Sequence, residues 1–164
     1  METFIQQLIN GLSLGSVYAL IAVGYSLVYS VLLFSNFAHG GFLVIGGYIC
    51  YFALRSGGMN IWLASFAALI GAGLSAIVVE RLAYRPIRER TPITLYMLIA
   101  SMGMSIVIEN IFVVTVGGRF RALPPVIPTD PVNFFGLATT SAFDILSLVT
   151  AVVFLVGLQL FLGK

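Results

Sequence analysis

The chain has 164 residues, only eight basic and six acidic side chains (9% charged), 60% hydrophobic residues and a mean hydropathy of +1.08. Water-soluble domains carry about a quarter charged residues, so this composition excludes one. The formal charge of +2 rests on a handful of side chains, seven of them arginines outside the apolar runs. It gives no support to a nucleic-acid partner.

The charges are clustered, leaving residues 3–54, 56–79, 91–108 and 145–163 without any. An apolar helix needs about 20 residues to cross about 30 Å of hydrocarbon, so these are membrane lengths. The N-terminus does not read as a cleavable signal. Its first ten residues hold Glu2 and no Lys or Arg, and the apolar stretch outruns an h-region. As one helix, Thr3 to Leu54 would measure about 78 Å, so it must turn. Ser35-Asn36-Phe37-Ala38-His39-Gly40-Gly41 is the natural place, which predicts spans over 5–31 and 38–54.

Gly40, Gly41, Gly46 and Gly47 predict a glycine-rich or broken second span. Irregular backbone at that depth must be buried in protein or line an aqueous cavity. Two readings stand for His39 beside Asn36: bordering a substrate path, or hydrogen-bonding carbonyls freed at the break. After a hydrophilic turn at 55–60, a third span runs from Ile61 to Val79.

Glu80 to Arg90 follows as a loop holding Arg81, Arg85, Arg88 and Arg90, four of the eight basic residues. Positive charge in short loops favours the cytoplasm, so the 80–92 loop is predicted inside and the N-terminus outside. Arg119 and Arg121 then fall on the outer side. The arginine loop reads either as a solvated face or as a docking surface, with Arg85-Pro86 adding a bend.

A fourth span covers 93–116 and contains Glu109 and Asn110, which fall near its outer end. Glu109 is read either as a vestibule group or as an interfacial carboxylate paired with an arginine such as Arg119; Ser101 and Ser105 precede it on the same helix. Polar groups at membrane depth are costly and default to functional candidates. The candidate path residues are therefore Asn36, His39, Gly40, Gly41, Glu109 and Asn110. Four prolines from Pro124 to Pro131 exclude a regular helix across 117–143, and Asp144 opens a fifth span ending near Leu162. The fold class is all-α, a polytopic transmembrane bundle of about five spans.

Helices in lipid associate through small residues at every fourth position. Gly11, Gly15 and Ala19 form one such ladder, and Ala64, Ala68, Ala72 and Ala76 another. Each reads as ordinary helix packing or as a subunit interface. Enzymatic signatures are missing: no phosphate-cradling glycine loop, no His-Glu-x-x-His, no paired cysteines and no metal-ligand set. Cys50 is alone and forms no internal disulfide. Transport or scaffolding is left, with no cofactor expected on the chain.

Three motifs add what composition does not. Gln6 to Leu20, Asn36-Phe37-Ala38-His39-Gly40, and Glu80 to Arg88 followed by Ser101-x-Gly103-x-Ser105 resemble, in order and spacing, the permease subunits of branched-chain amino-acid ABC importers. The resemblance implies a single permease domain over 1–164 in a prokaryotic plasma membrane. It implies a path shared with a second permease subunit, cytoplasmic ATP-binding subunits that use the ATP, and a periplasmic or extracellular substrate-binding protein. Gly41 departs from the family, which commonly has an acidic residue there. Members also continue past Lys164, so the chain resembles an amino-terminal half that inserts without transporting alone. A related amide or urea permease and a truncated non-transporting scaffold are the alternatives. A channel or secondary carrier would use His39 and Glu109 as its ionisable relay.

Overall fold

The computed structural model describes residues 2–91, 93–119, 121–123, 131–134 and 138–162. All five expected apolar segments are helical: α1 (Glu2–Leu32), α2 (His39–Arg55), α3 (Ile61–Val79), α5 (Thr94–Thr115) and α6 (Ala142–Leu162), with a short α4 (Arg85–Arg90) before α5. Three helices, Thr3–Leu32, Ile61–Arg90 and Thr94–Thr115, are long and apolar enough to cross a membrane. The chain forms two compact units, Met1–Leu27 with Pro125–Lys164, and Val28–Pro124.

One expectation is corrected. The arginine segment 80–90 is not a loop. Glu80–Tyr84 is a π-helical turn and Arg85–Arg90 an α-helix, both continuous with α3. Pro86 has no N–H to give a helical ladder, and the wide turn ahead of it, closed by the Arg85 N–H on the Glu80 carbonyl, carries the helix past the ring. The resulting 30-residue rod is about 45 Å long, so its arginine end projects beyond the hydrocarbon. The glycine-rich second span is unbroken from His39 to Arg55; the break lies before it, at residues 33–38. Part of the Pro-rich segment is ordered as an antiparallel hairpin, β1 (Pro131–Phe134) with β2 (Ala138–Ser141), paired from Pro131↔Ser141 to Phe134↔Ala138. Pro131 is tolerated as the first strand residue. The rest of that segment, 124–130 and 135–137, lies outside the described residues, as does Pro92.

In the first unit the Gly11–Gly15 ladder stands open. Both glycines are exposed with no atom near the position of a Cβ, whereas Ser13 and Ser16 on another face are buried. Ala19 is half-buried.

In the second unit α1 ends at Leu32, and Leu33 just past it has a φ of 58°, left-handed without glycine. The core gathers Phe34, Ala38, Val79, Tyr84, Met97 and Ile108. Small residues set the approach of α2 to α3: a Cβ on Gly46 would meet the Ala72 methyl at 3.6 Å and the Ala68 carbonyl at 3.7 Å. Ala64 is fully buried, while Ala68, Ala72 and Ala76 are half-buried. α2 and α5 run parallel, because contacts climb both helices together: Gly41 faces Ile108, and Tyr48 stacks on Phe112 with centroids 4.6 Å apart.

An alanine at position 46 fits within van der Waals distance, but a leucine does not. Gly46→Leu is expected to destabilise the unit by about 1–3 kcal/mol through overpacking. Gly73→Leu, which points into open space, should leave stability unchanged. Thermal denaturation followed by size exclusion in detergent checks both; equal midpoints would remove the proposed contact.

Candidate functional site

The passage from α1 to α2 must satisfy its own backbone polar groups wherever it is buried in the protein. Phe34, Asn36 and Ala38 are buried, at 2%, 5% and 0% exposure. The Asn36 side-chain carbonyl Oδ1 accepts the Ala38 N–H at 3.1 Å, the short-range bond for which Asn is favoured at turns. It also accepts the Tyr84 hydroxyl at 2.7 Å, and the Asn36 backbone carbonyl accepts the His39 N–H at 3.2 Å. Ser101 on α5 supplies the remaining partner. Its Oγ, fully buried, accepts the Phe37 N–H at 3.1 Å and donates to the Leu98 carbonyl at 2.7 Å, with the Ser35 carbonyl at 3.3 Å.

Tyr84 closes the π turn that continues α3, and from there its hydroxyl reaches this loop. The Phe34 ring meets the Tyr84 ring edge-on, with centroids 5.6 Å apart at 87°. Three segments distant in sequence therefore converge on Asn36: the break itself, the π turn and α5.

The predicted path residues are not gathered in one place. Asn36 has its side-chain carbonyl committed to the loop. His39 is the first residue of α2 and half-buried, and Gly40 is exposed with open space beside it. A Cβ on Gly41 would lie 3.0–3.3 Å from three side-chain atoms of Ile108, so an acidic side chain there requires the Ile108 side chain to give way. Glu109 and Asn110 lie on exposed parts of α5; Glu109 accepts the Ser105 hydroxyl at 3.3 Å, and Asn110 donates to the Ile106 carbonyl at 2.8 Å. Among the described residues Glu109 forms no ion pair, so the pairing with Arg119 is absent there. No group of three metal-ligating side chains occurs among the described residues.

On the arginine helix two ion pairs form, Arg88 to Glu80 at 2.6 Å and Arg85 to Glu89 at 2.8 Å. Exposed pairs of this kind contribute at most about 1 kcal/mol. Their consequence is electrostatic: Arg81 and Arg90 are left as the cations without an acidic partner among the described residues of that helix. Sequence reasoning missed Tyr84. A single phenol amid arginines, two residues before a proline, was the available signal, since a buried hydroxyl needs a partner.

The family model for the branched-chain amino acid transport system permease component matches residues 7–164. A high-affinity branched-chain amino acid transport system permease protein, BraD of Pseudomonas aeruginosa, is 36% identical over 174 residues, covering 98% of this chain and 55% of its own length. The permease proteins named LivH from Salmonella typhimurium and Escherichia coli K12 are each 43% identical over 129 residues, covering 74% of this chain and 41% of theirs. The chain thus spans about half the length of the curated relatives it matches. No solved structure matches it.

The loop geometry sets an order of stability effects. Asn36→Ala strands both the Tyr84 hydroxyl and the Ala38 N–H and is expected to cost about 3 kcal/mol, whereas Tyr84→Phe leaves no buried group unpaired and costs about 1 kcal/mol. The double variant should be no worse than Asn36→Ala alone. Thermal unfolding in detergent measures all three, and a Tyr84→Phe loss equal to that of Asn36→Ala would contradict the shared-acceptor arrangement.

Proposed function

The chain belongs to the family of branched-chain amino acid transport system permease components, and from that premise we propose that it forms part of the translocation path of an ATP-driven importer. Its proposed substrates are branched-chain amino acids, as in the names of BraD and LivH. ATP hydrolysis is assigned to separate cytoplasmic subunits, substrate capture to a periplasmic or extracellular binding protein, and the other half of the path to a second permease subunit.

The observation that carries this reading is the Tyr84–Asn36 hydrogen bond at 2.7 Å. It joins the arginine-bearing helical extension to the loop that opens α2, so a push on the extension by a nucleotide-driven partner is delivered to the start of a span. Rigid packed elements of this kind carry displacement better than a flexible loop. The open Gly11–Gly15 face of α1 supports contact with a second permease subunit through close backbone approach. Glu109 and Asn110, exposed on an apolar helix, are proposed to face the path together with His39 and Gly40. The proposed setting is a prokaryotic plasma membrane with the N-terminus outside and residues 80–92 in the cytoplasm.

Two measurements test this. In proteoliposomes holding the complete importer, labelled leucine uptake is expected with ATP and absent with a non-hydrolysable analogue; uptake independent of hydrolysis would refute the ATP-driven assignment. In a Cys50→Ala background, Arg88→Cys should react with a membrane-impermeant maleimide only after permeabilisation and Gly58→Cys in intact cells. The reverse pattern would invert the topology.

A further inference from the structure

A second arginine cluster, at the end of α2 and α5 opposite the arginine helix, has no role in the transport reading. Gly117, left-handed at φ 88°, ends α5 by giving its N–H to the Phe112 and Val113 carbonyls, and the chain beyond it passes beside α2. Arg121 donates to the Val116 carbonyl at 2.9 Å, and its guanidinium carbon lies 5.7 Å from the centre of the Tyr51 ring. The Arg55 guanidinium lies 5.8 Å from the same ring and donates to the Tyr51 hydroxyl at 2.8 Å. Tyr51 is buried, at 5% exposure. Among the described residues, Arg55, Arg119 and Arg121 have no carboxylate partner, in contrast to the paired arginines at 85 and 88.

These three arginines, with Tyr51, Phe52 and Ser56, line a cavity of about 480 Å³. A second cavity, of about 330 Å³, shares Tyr51, Arg119 and Arg121 and continues along α2 over Tyr48, Gly47 and Val44. Residues 44, 47, 51 and 55 follow one face of a helix. From Arg55 to Val44 is a rise of about 16 Å, roughly half the hydrocarbon thickness. Gly47 holds the groove open, with no atom near the position a Cβ would take.

We propose that this face binds one anionic phospholipid, its phosphate among Arg55, Arg119 and Arg121 and an acyl chain along Tyr48, Gly47 and Val44. Unpaired guanidiniums between helices at the interface match a lipid phosphate in charge and hydrogen-bond geometry. The apolar groove beneath them, one leaflet deep, is what distinguishes a lipid from a soluble anion or an acidic protein, neither of which would occupy it. The inference needs the chain to lie in a membrane and does not rest on the transport reading.

The test is native mass spectrometry of the detergent-purified chain offered phosphatidylglycerol and phosphatidylcholine of identical acyl chains. The unsubstituted protein is expected to retain phosphatidylglycerol over phosphatidylcholine by about tenfold, given three cations at the interface. Arg119→Gln/Arg121→Gln should abolish the preference. Gly47→Leu, which fills the groove without changing charge, should abolish retention. Circular dichroism and size-exclusion profiles like those of the unsubstituted protein are required of both variants. The proposal fails if no headgroup preference exists, if it survives the double substitution, or if Gly47→Leu retains the lipid. It fails equally if millimolar inorganic phosphate or glycerophosphoglycerol displaces the lipid, since a headgroup site alone would then suffice.

Discussion

A buried peptide group that leaves a helix finds no water, so each buried interruption between helices has to be closed by the protein itself. The second unit is organised around one such interruption, between Leu33 and Ala38. Asn36 and Ser101 close it, each accepting a backbone N–H of the break itself, from Ala38 and Phe37 respectively. This accounts for the fully buried serine of α5 and for a tyrosine hydroxyl turned inward from a charged segment. The π turn ends at Tyr84, whose ring packs edge-on against Phe34.

Between the spans, lipid removes the hydrophobic drive that packs helices in water, and close contact takes its place. α2 uses both of its glycine pairs for this. Gly46 admits Ala68 and Ala72 of α3, and Gly41 admits Ile108 of α5. The outward residues remain large and apolar, among them Leu69 at 70% and Val114 at 82% exposure. Such a surface is compatible with lipid or with neighbouring subunits and incompatible with water.

The two ends of the unit differ electrically. On the extension of α3, two glutamates pair with two of the four arginines across helical turns. Beyond α2 and α5 the arginines crowd a single aromatic ring without acidic company among the described residues. Charge of one sign left unpaired beside an apolar groove calls for an anion, whereas charge balanced along a helix calls for solvent or a broad protein surface.

Membrane residence, the five apolar helices and the family were all legible in the sequence, because charges avoid hydrocarbon so strictly that their gaps mark the spans. The third span coincides with its predicted limits, Ile61 to Val79. The arginine segment was legible as polar but not as helix, since composition reports the solvent a segment meets and not the backbone it adopts. The glycines of α2 suggested a break by their helix propensity, a preference that lipid overrides by offering the backbone no other partners. What tertiary structure alone decided is which polar group answers which. Asn36 meets Tyr84 across 48 residues, and Phe37 meets Ser101 across 64, with Arg121 brought to Tyr51 by the turn at Gly117. Periodicity speaks only of neighbours three or four residues apart. Partners at such separations are chosen by the way helices pack.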